Sequence, residues 1–251
     1  MYRVFPFIKN NMPSIDVCFT PALLHLYDVK AKVVVIIDIF RASSSICYGF
    51  ENGALEIIPV STIEQCESFA GNDYLLAAER DGAVVEGFDF GNSPYSYTAE
   101  KVSGQKIVLT TTNGTYAIEQ AAGAAEIVIG SFLNLSALCD WLLNDGRDVI
   151  LLCAGWKNLF NIEDTVFAGA VISKLFHSFN LAGDSAVGAL DLFMIYELKL
   201  EAIIEKSSHS RRMKQLGIEK DALFCLQTDI CKQVPLMKNG ILTVVLSTIN
   251  S

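Results

Sequence analysis

Three stretches of the chain share one grammar: a continuous apolar run, a cluster of small polar residues, then an amphipathic segment of helical period. They are VVVIIDIFRASSSICYGFENG (Val33 to Gly53), KIVLTTTNGTYAIEQAAG (Lys106 to Gly123) and DVILLCAGWKNLFNIEDTVFAGAVISKL (Asp148 to Leu175). Apolar runs without alternation fit strands buried on both faces, and the helical segments that follow supply the cover. The pattern predicts a three-layer α/β/α fold around a largely parallel, mixed sheet. With 51% hydrophobic and 19% charged residues among 251, the chain has ample apolar surface for such a core. That balance rules out global disorder.

The first two stretches also match each other at a constant offset of 70: Gly53-Ala54 falls on Gly123-Ala124, Glu56-Ile57 on Glu126-Ile127, and Ser61 on Ser131. The match suggests duplicated strand–loop–helix units over about 33–73 and 103–145. Parallel strands with right-handed crossovers would then turn both polar loops to one cleft. The plainer alternative is two unrelated units that share the glycine usual past a helix end. Between them, Asp73 to Pro94 reads as a short strand (Tyr74 to Ala78) and a long loop rich in Gly, Asp and Asn. Loops of that length inside a compact domain are usually functional. Ala186 to Gly217 reads as helical, with Arg211, Arg212 and Lys214 exposed near its end, and Asn239-Gly240 between apolar runs marks a C-terminal β-hairpin. Without a Pro/Ser-rich linker, residues 1–251 are expected to form a single domain. The opening residues, interrupted by Pro6, Lys9 and Asn10, lack the apolar region of a signal peptide.

A net charge of −9 without a basic patch argues against nucleic acid and anionic membrane as partners. No run approaches the roughly 18 apolar residues that cross a bilayer. Seven cysteines, an odd number with no CxxC pair, fit neither a disulfide framework nor a zinc site. They read as buried apolar residues of a cytoplasmic protein. There is no GxxxxGK[ST] phosphate loop, no GxGxxG after a strand and no GxSxG elbow. No cysteine has the Arg six positions on that a cysteine phosphatase needs, and Phe40 stands where a DxDx[TV] enzyme needs its second Asp. None of the three histidines follows an Arg, which speaks against a histidine phosphatase, and His177 in an apolar helical stretch reads as packed.

Four polar clusters remain, each just past a strand or in a glycine-rich loop: Asp38, Arg41 and Ser43 to Ser45; Glu79 and Arg80 with Glu86, Asp89, Asn92 and Ser93; Thr110 to Thr115; and Glu163-Asp164 after Cys153-Ala154-Gly155. Open α/β sheets bind ligands at the carboxyl ends of their strands. Singly, each cluster is better explained as a helix cap or a dipole partner. Together they supply what a phosphate monoester site needs: carboxylates for Mg2+, arginine forks for anions, and hydroxyl and amide donors.

DIFRASSS (Asp38 to Ser45), AER (Ala78 to Arg80), GFDFGNSP (Gly87 to Pro94), TTTNGT (Thr110 to Thr115) and CAG…ED (Cys153 to Gly155, Glu163, Asp164) occur here in one chain and in that order. So arranged, they resemble the ComB family of 2-phosphosulfolactate phosphatases. The likeness continues through His209, Gly217, Asp221, Asp229, Val234 and Pro235. It departs where Ser43 to Ser45 replace the usual threonines, and where Tyr116 stands in place of a common Arg. The resemblance implies an Mg2+-dependent hydrolysis of 2-phosphosulfolactate to sulfolactate and phosphate, in coenzyme M biosynthesis. On this reading Asp38, Glu79 and, more weakly, Asp164 hold the metal, and Arg41 and Arg80 bind the phosphate and the sulfonate or carboxylate. Ser43, Ser44, Thr111, Thr112, Asn113 and Gly114 donate to the substrate, and Asp89 is the general acid or base. Attack by water is preferred, with Asp38 as a covalent nucleophile left open. So are a homodimer, a different small phosphorylated hydroxy acid as substrate, and a non-catalytic protein that binds a small dianion.

Overall fold

A computed structural model describes residues 12–244; the residues expected to lack a signal-peptide core lie outside them. Eleven strands are joined in one sheet: β1 (Ser14–Cys18), β2 (Val33–Ile37), β3 (Glu56–Pro59), β4 (Leu75–Arg80), β5 (Ala83–Val84), β6 (Lys106–Thr110), β7 (Glu126–Gly130), β8 (Val149–Cys153), β9 (Asn180–Leu181), β10 (Pro235–Lys238) and β11 (Ile241–Val244). Their order is β5-β4-β6-β3-β11-β10-β7-β2-β8-β1-β9. The α-helices are α1 (Ala42–Glu51), α2 (Ile63–Glu67), α3 (Ala99–Val102), α4 (Gly114–Gln120), α5 (Leu135–Asp145), α6 (Ile162–Leu175), α7 (Asp184–Tyr196), α8 (Ala202–Lys206), α9 (Ser208–Gln215) and α10 (Glu219–Cys225).

The uninterrupted apolar runs are strands covered on both faces, as their composition predicts: every residue of β2 and of β8 is buried. Alternation divides them between two cores. Val33, Val35 and Ile37 pack with α5, α6 and α7, while Val34 and Ile36 pack with α1 and α4. A third, smaller cluster around Cys66, Leu76 and Val108 lies under α2. All seven cysteines are free and buried. No described helix is long and apolar enough to cross a membrane.

The sheet is mixed in a specific way. β2 pairs in parallel with β7 and β8, and β6 pairs in parallel with β3 and β4. The expected hairpin β10–β11 lies between these groups, pairing antiparallel with β7 on one side and β3 on the other. Three antiparallel junctions therefore separate the two parallel groups, which run in opposite senses. The two units read from the sequence occupy equivalent places about the hairpin, but their strands do not share one parallel edge.

Two local expectations change. The strand after Asp73 is β4, which reaches Arg80 and turns back into β5 through Asp81-Gly82, at φ of +53° and +91°. Two positive φ values in a two-residue turn match the twist of the flanking strands, and Asp-Gly is a favoured pair there. The stretch from Ala186 to Gly217 is three helices, α7, α8 and α9, rather than one, and Arg212 is not exposed.

Candidate active site

Asp38 follows β2 directly. Its Oδ1 takes a long bond, 3.4 Å, from the Ala42 N–H, and its own N–H donates to Ser43 Oγ at 2.8 Å. Ser43, Ser44 and Ser45 are buried and turn inward: their hydroxyls donate to the carbonyls of Ile36, Ile39 and Asn92. Ser43 and Ser44, expected to donate to substrate, have their hydroxyl protons on these carbonyls. These hydroxyls fasten the first turn of α1 to the sheet.

Asp164 plays a bracing part. Its Oδ1 accepts from the Ile39 N–H at 2.9 Å and its Oδ2 from the Gly155 N–H at 3.1 Å, joining the loops after β2 and β8. Each oxygen takes one backbone bond, and Asp164, expected as a weaker third metal ligand, does not line the cavity described below.

Glu79 is the penultimate residue of β4, and its Oε1 accepts from the Gly82 N–H of the Asp81-Gly82 turn. The same Gly82 offers its carbonyl to Arg41 Nη2 at 2.9 Å, while Arg41 Nη1 is paired with the buried carboxylate of Asp221. Arg80, adjacent to Glu79 on a strand, points to the opposite face. Its guanidinium reaches the Glu79 carbonyl at 2.7 Å and Thr110 Oγ1 at 2.9 Å. Its charge is felt by Glu64 and Cys66 of α2. Arg80, expected as an anion ligand, thus sits on the face away from Glu79 and joins β4 to β6. Asp89 is also elsewhere: it is exposed, and its Oδ2 accepts from the Leu76 N–H at 2.8 Å on the outer strand. Asp89, expected as general acid or base, lines neither of the two cavities described below.

The threonine-rich loop meets Asp38 closely. Gly114 is essential to that approach, since a Cβ there would lie 2.7 Å from Ala42 Cβ and 2.9 Å from Asp38 Oδ2. The contact arises because α1 and α4 share a face of the sheet and their first turns abut. Thr111 and Thr115 bond one another, Asn113 Oδ1 accepts from the Lys157 N–H at 2.9 Å, and Thr112 Oγ1 is buried without a partner. Thr111, expected to donate to substrate, has its hydroxyl engaged within the loop.

Asp38, Phe40, Arg41, Glu79, Gly82, Asn92, Asn113, Trp156 and His209 surround a cavity of about 10 Å³, room for one water. A second chamber of about 210 Å³ shares Arg41, Glu79, Gly82 and Asn92, and is closed by Val84, Leu216 and Ile218. Four contributors escaped the sequence reading of roles: Asn92, Trp156, His209 and Arg212. His209 Nδ1 lies 3.2 Å from Glu163 Oε1, and Ser207 Oγ donates to Glu163 Oε2 at 2.8 Å. Arg212 stacks its guanidinium carbon 4.1 Å over the Trp156 ring. Its Nε and Nη2 are covered and have no hydrogen-bond partner among the described residues. The signals available were the NSP turn for Asn92, and for His209 its place in the C-terminal part of the resemblance. Nothing local singled out Arg212.

Burial is the main reason the Asp38 carboxyl is pushed up to about 6; the His209 side opposes the shift, and Glu79 and Glu163 add to it. Asp164 is raised well above its ordinary range, first by burial and then by Asp38 and Glu163. Such a pocket favours a proton or a cation. Among the described residues no three His, Cys, Asp or Glu side chains form a ready cage. Mg2+ does not need one, because it is commonly held by one or two carboxylates with the rest of its shell from water and phosphate. Among the described residues Asp38 Oδ2 and Glu79 Oε2 accept no bond, and Asn92, which lines the same cavity, has its Oδ1 buried with no partner. Oxygen donors are the ligand type that suits a small hard cation.

Buried carboxylates, a buried carboxamide oxygen and a carboxylate-backed histidine meet around one small cavity of this α/β fold, and likeness to known sequences makes the chain a phosphoric monoester hydrolase. The sequence profile described as 2-phosphosulpholactate phosphatase matches residues 18–240, and the chain belongs to that family. It is 43% identical over 213 residues to a probable 2-phosphosulfolactate phosphatase of Thermotoga petrophila, covering 85% of this chain and 92% of that one. A protein of the same description from Caldanaerobacter subterraneus subsp. tengcongensis is 40% identical over 219 residues, covering 85% and 91% of the two chains.

Proposed function

We propose that this chain hydrolyses 2-phosphosulfolactate to sulfolactate and phosphate, and that it does so with Mg2+. The observation that carries the reading is the convergence of Asp38, Glu79 and the unpartnered Asn92 Oδ1 on a cavity whose other wall is His209. Asp38, Glu79 and Asn92 would hold the cation, which would neutralise charge on the phosphoryl oxygens. Arg41, fixed between Asp221 and the Gly82 carbonyl, keeps a positive charge in the wall against which a phosphate can lie. Asn113 and the Gly114 turn close the cavity from the second loop. With Nδ1 of His209 turned to Glu163, Nε2 is the atom left to give a proton to the ester oxygen as it departs. Glu163, itself held by Ser207, orients the ring for that transfer. The test is phosphate release from 2-phosphosulfolactate by the purified protein, with Mg2+ and after chelation. Release that chelation abolishes is expected; full release in EDTA, or none with Mg2+, overturns the proposal.

A further inference from the structure

We infer that Arg212 is the receptor for the substrate's second anionic group, the carboxylate or sulfonate that is not transferred. The inference rests on the phosphatase reading above and deepens it. A monoester of a small sulfonated hydroxy acid brings anionic groups besides its phosphate, and each needs a donor once water is excluded. Arg41 has Nη1 on Asp221 and Nη2 on the Gly82 carbonyl, Arg80 lies across the sheet, and Lys157 Nζ is turned to Asp81 at 2.9 Å. Arg212 differs from all three. Its Nε and Nη2, the two nitrogens that share the side-on edge of a guanidinium, are both covered and both without a partner. That edge is a planar two-pronged donor matched to two oxygens of a carboxylate or sulfonate. The Trp156 ring beneath fixes the plane of the fork, and Trp156 and His209, whose rings lie 5.3 Å apart, both line the cavity. Arg212 stands behind Trp156, one side chain removed from a cavity that holds about one water.

The test is selectivity. The kcat/KM values for 2-phospholactate, with a carboxylate, and for 2-sulfoethyl phosphate, with a sulfonate, are each divided by that for isopropyl phosphate, which has neither. In Arg212→Gln the ratio for the recognised group falls about 100-fold, the effect of losing two charge-assisted bonds, and the ester whose ratio falls identifies that group. Arg212→Lys keeps the charge without the fork and recovers part of the ratio. Ratios kept within about twofold in both variants overturn the inference, since a merely structural arginine would affect all three esters alike. Calorimetric titration of 3-sulfolactate supplies a reading without turnover: weaker binding to Arg212→Gln is expected, while equal affinity, or none in the wild type, overturns it. If no ester is hydrolysed yet the difference in 3-sulfolactate binding persists, the phosphatase reading fails and the anion site stands.

Discussion

Asp38 is held where burial disfavours its charge. Its carboxyl is raised from 3.8 to about 6, mainly by burial, and burial also raises Asp164 well above its ordinary range. The folded protein therefore binds a proton at Asp38 that the unfolded chain has released, so Asp38 contributes stability at low pH that is lost as pH rises from 3.8 through about 6. EDTA-treated protein is expected to show a component of Tm that declines across that range, smaller in Asp38→Asn, with Mg2+ raising the wild-type Tm more above about pH 6 than below it. An identical pH profile in Asp38→Asn would contradict this. Arg41 and Asp221 pose the opposite problem, a buried pair whose members need each other. Asp221→Ala leaves the guanidinium uncompensated and should cost about 3–5 kcal/mol in urea titration; a cost below about 1 kcal/mol would mean that water reaches Arg41. Asp38, Glu79 and Asn113, at or close after the ends of β2, β4 and β6, could be singled out in the sequence because strand ends are where such folds place ligands. The backbone bonds of Ser43 and Ser44 could not be read there, because a hydroxyl at a helix start serves backbone and ligand equally well. That Arg80 faces away from Glu79 follows from a rule that was available, since neighbours on a strand face opposite ways. His209, Arg212 and Asp221 reach the site from far down the chain, and no local pattern ties them to it.

At the scale of elements the Asp81-Gly82 turn carries the most consequence, because Gly82 gives its N–H to Glu79 and its carbonyl to Arg41. A Cβ on Gly82 would meet Leu216 Cδ1 at 2.5 Å, at a φ of +91°. Gly240, in the turn between β10 and β11, has a similar φ of +82° with nothing within 4 Å. Both Gly→Ala variants should lose about 1 kcal/mol for the backbone strain. Gly82→Ala should in addition lose most of its phosphatase activity, whereas Gly240→Ala keeps it. Equal activities in the two would detach the turn from the site. Both turns bear one of the two strongest hairpin dipeptides, and only Asn239-Gly240 was read as one. The second residue pair was hidden because β5 has just two residues, Ala83 and Val84, too few to show an alternating pattern.

For the whole molecule, the three-layer class followed from the apolar runs, but strand order did not, because periodicity describes one segment at a time. The surprise is the position of the β10–β11 hairpin, in the middle of the ladder between β7 and β3. Leu242 on β11 is fully buried beside Ile57 of β3. Leu242→Ala should cost about 2–5 kcal/mol, read as a lower denaturant midpoint, and a loss under about 1 kcal/mol would show that the seam is not packed. Order of manufacture gives this seam a further meaning. A ribosome releases β1 to β9 first, so a nascent chain holds one group of strands ending in β3 and another ending in β7, with no ladder between them. His209, Arg212 and Asp221 emerge only a little before the strands that join the two groups. A growing chain thus has its acidic loops well before it has the means to close a working pocket, and the sheet and the pocket are both completed by segments that emerge after β9.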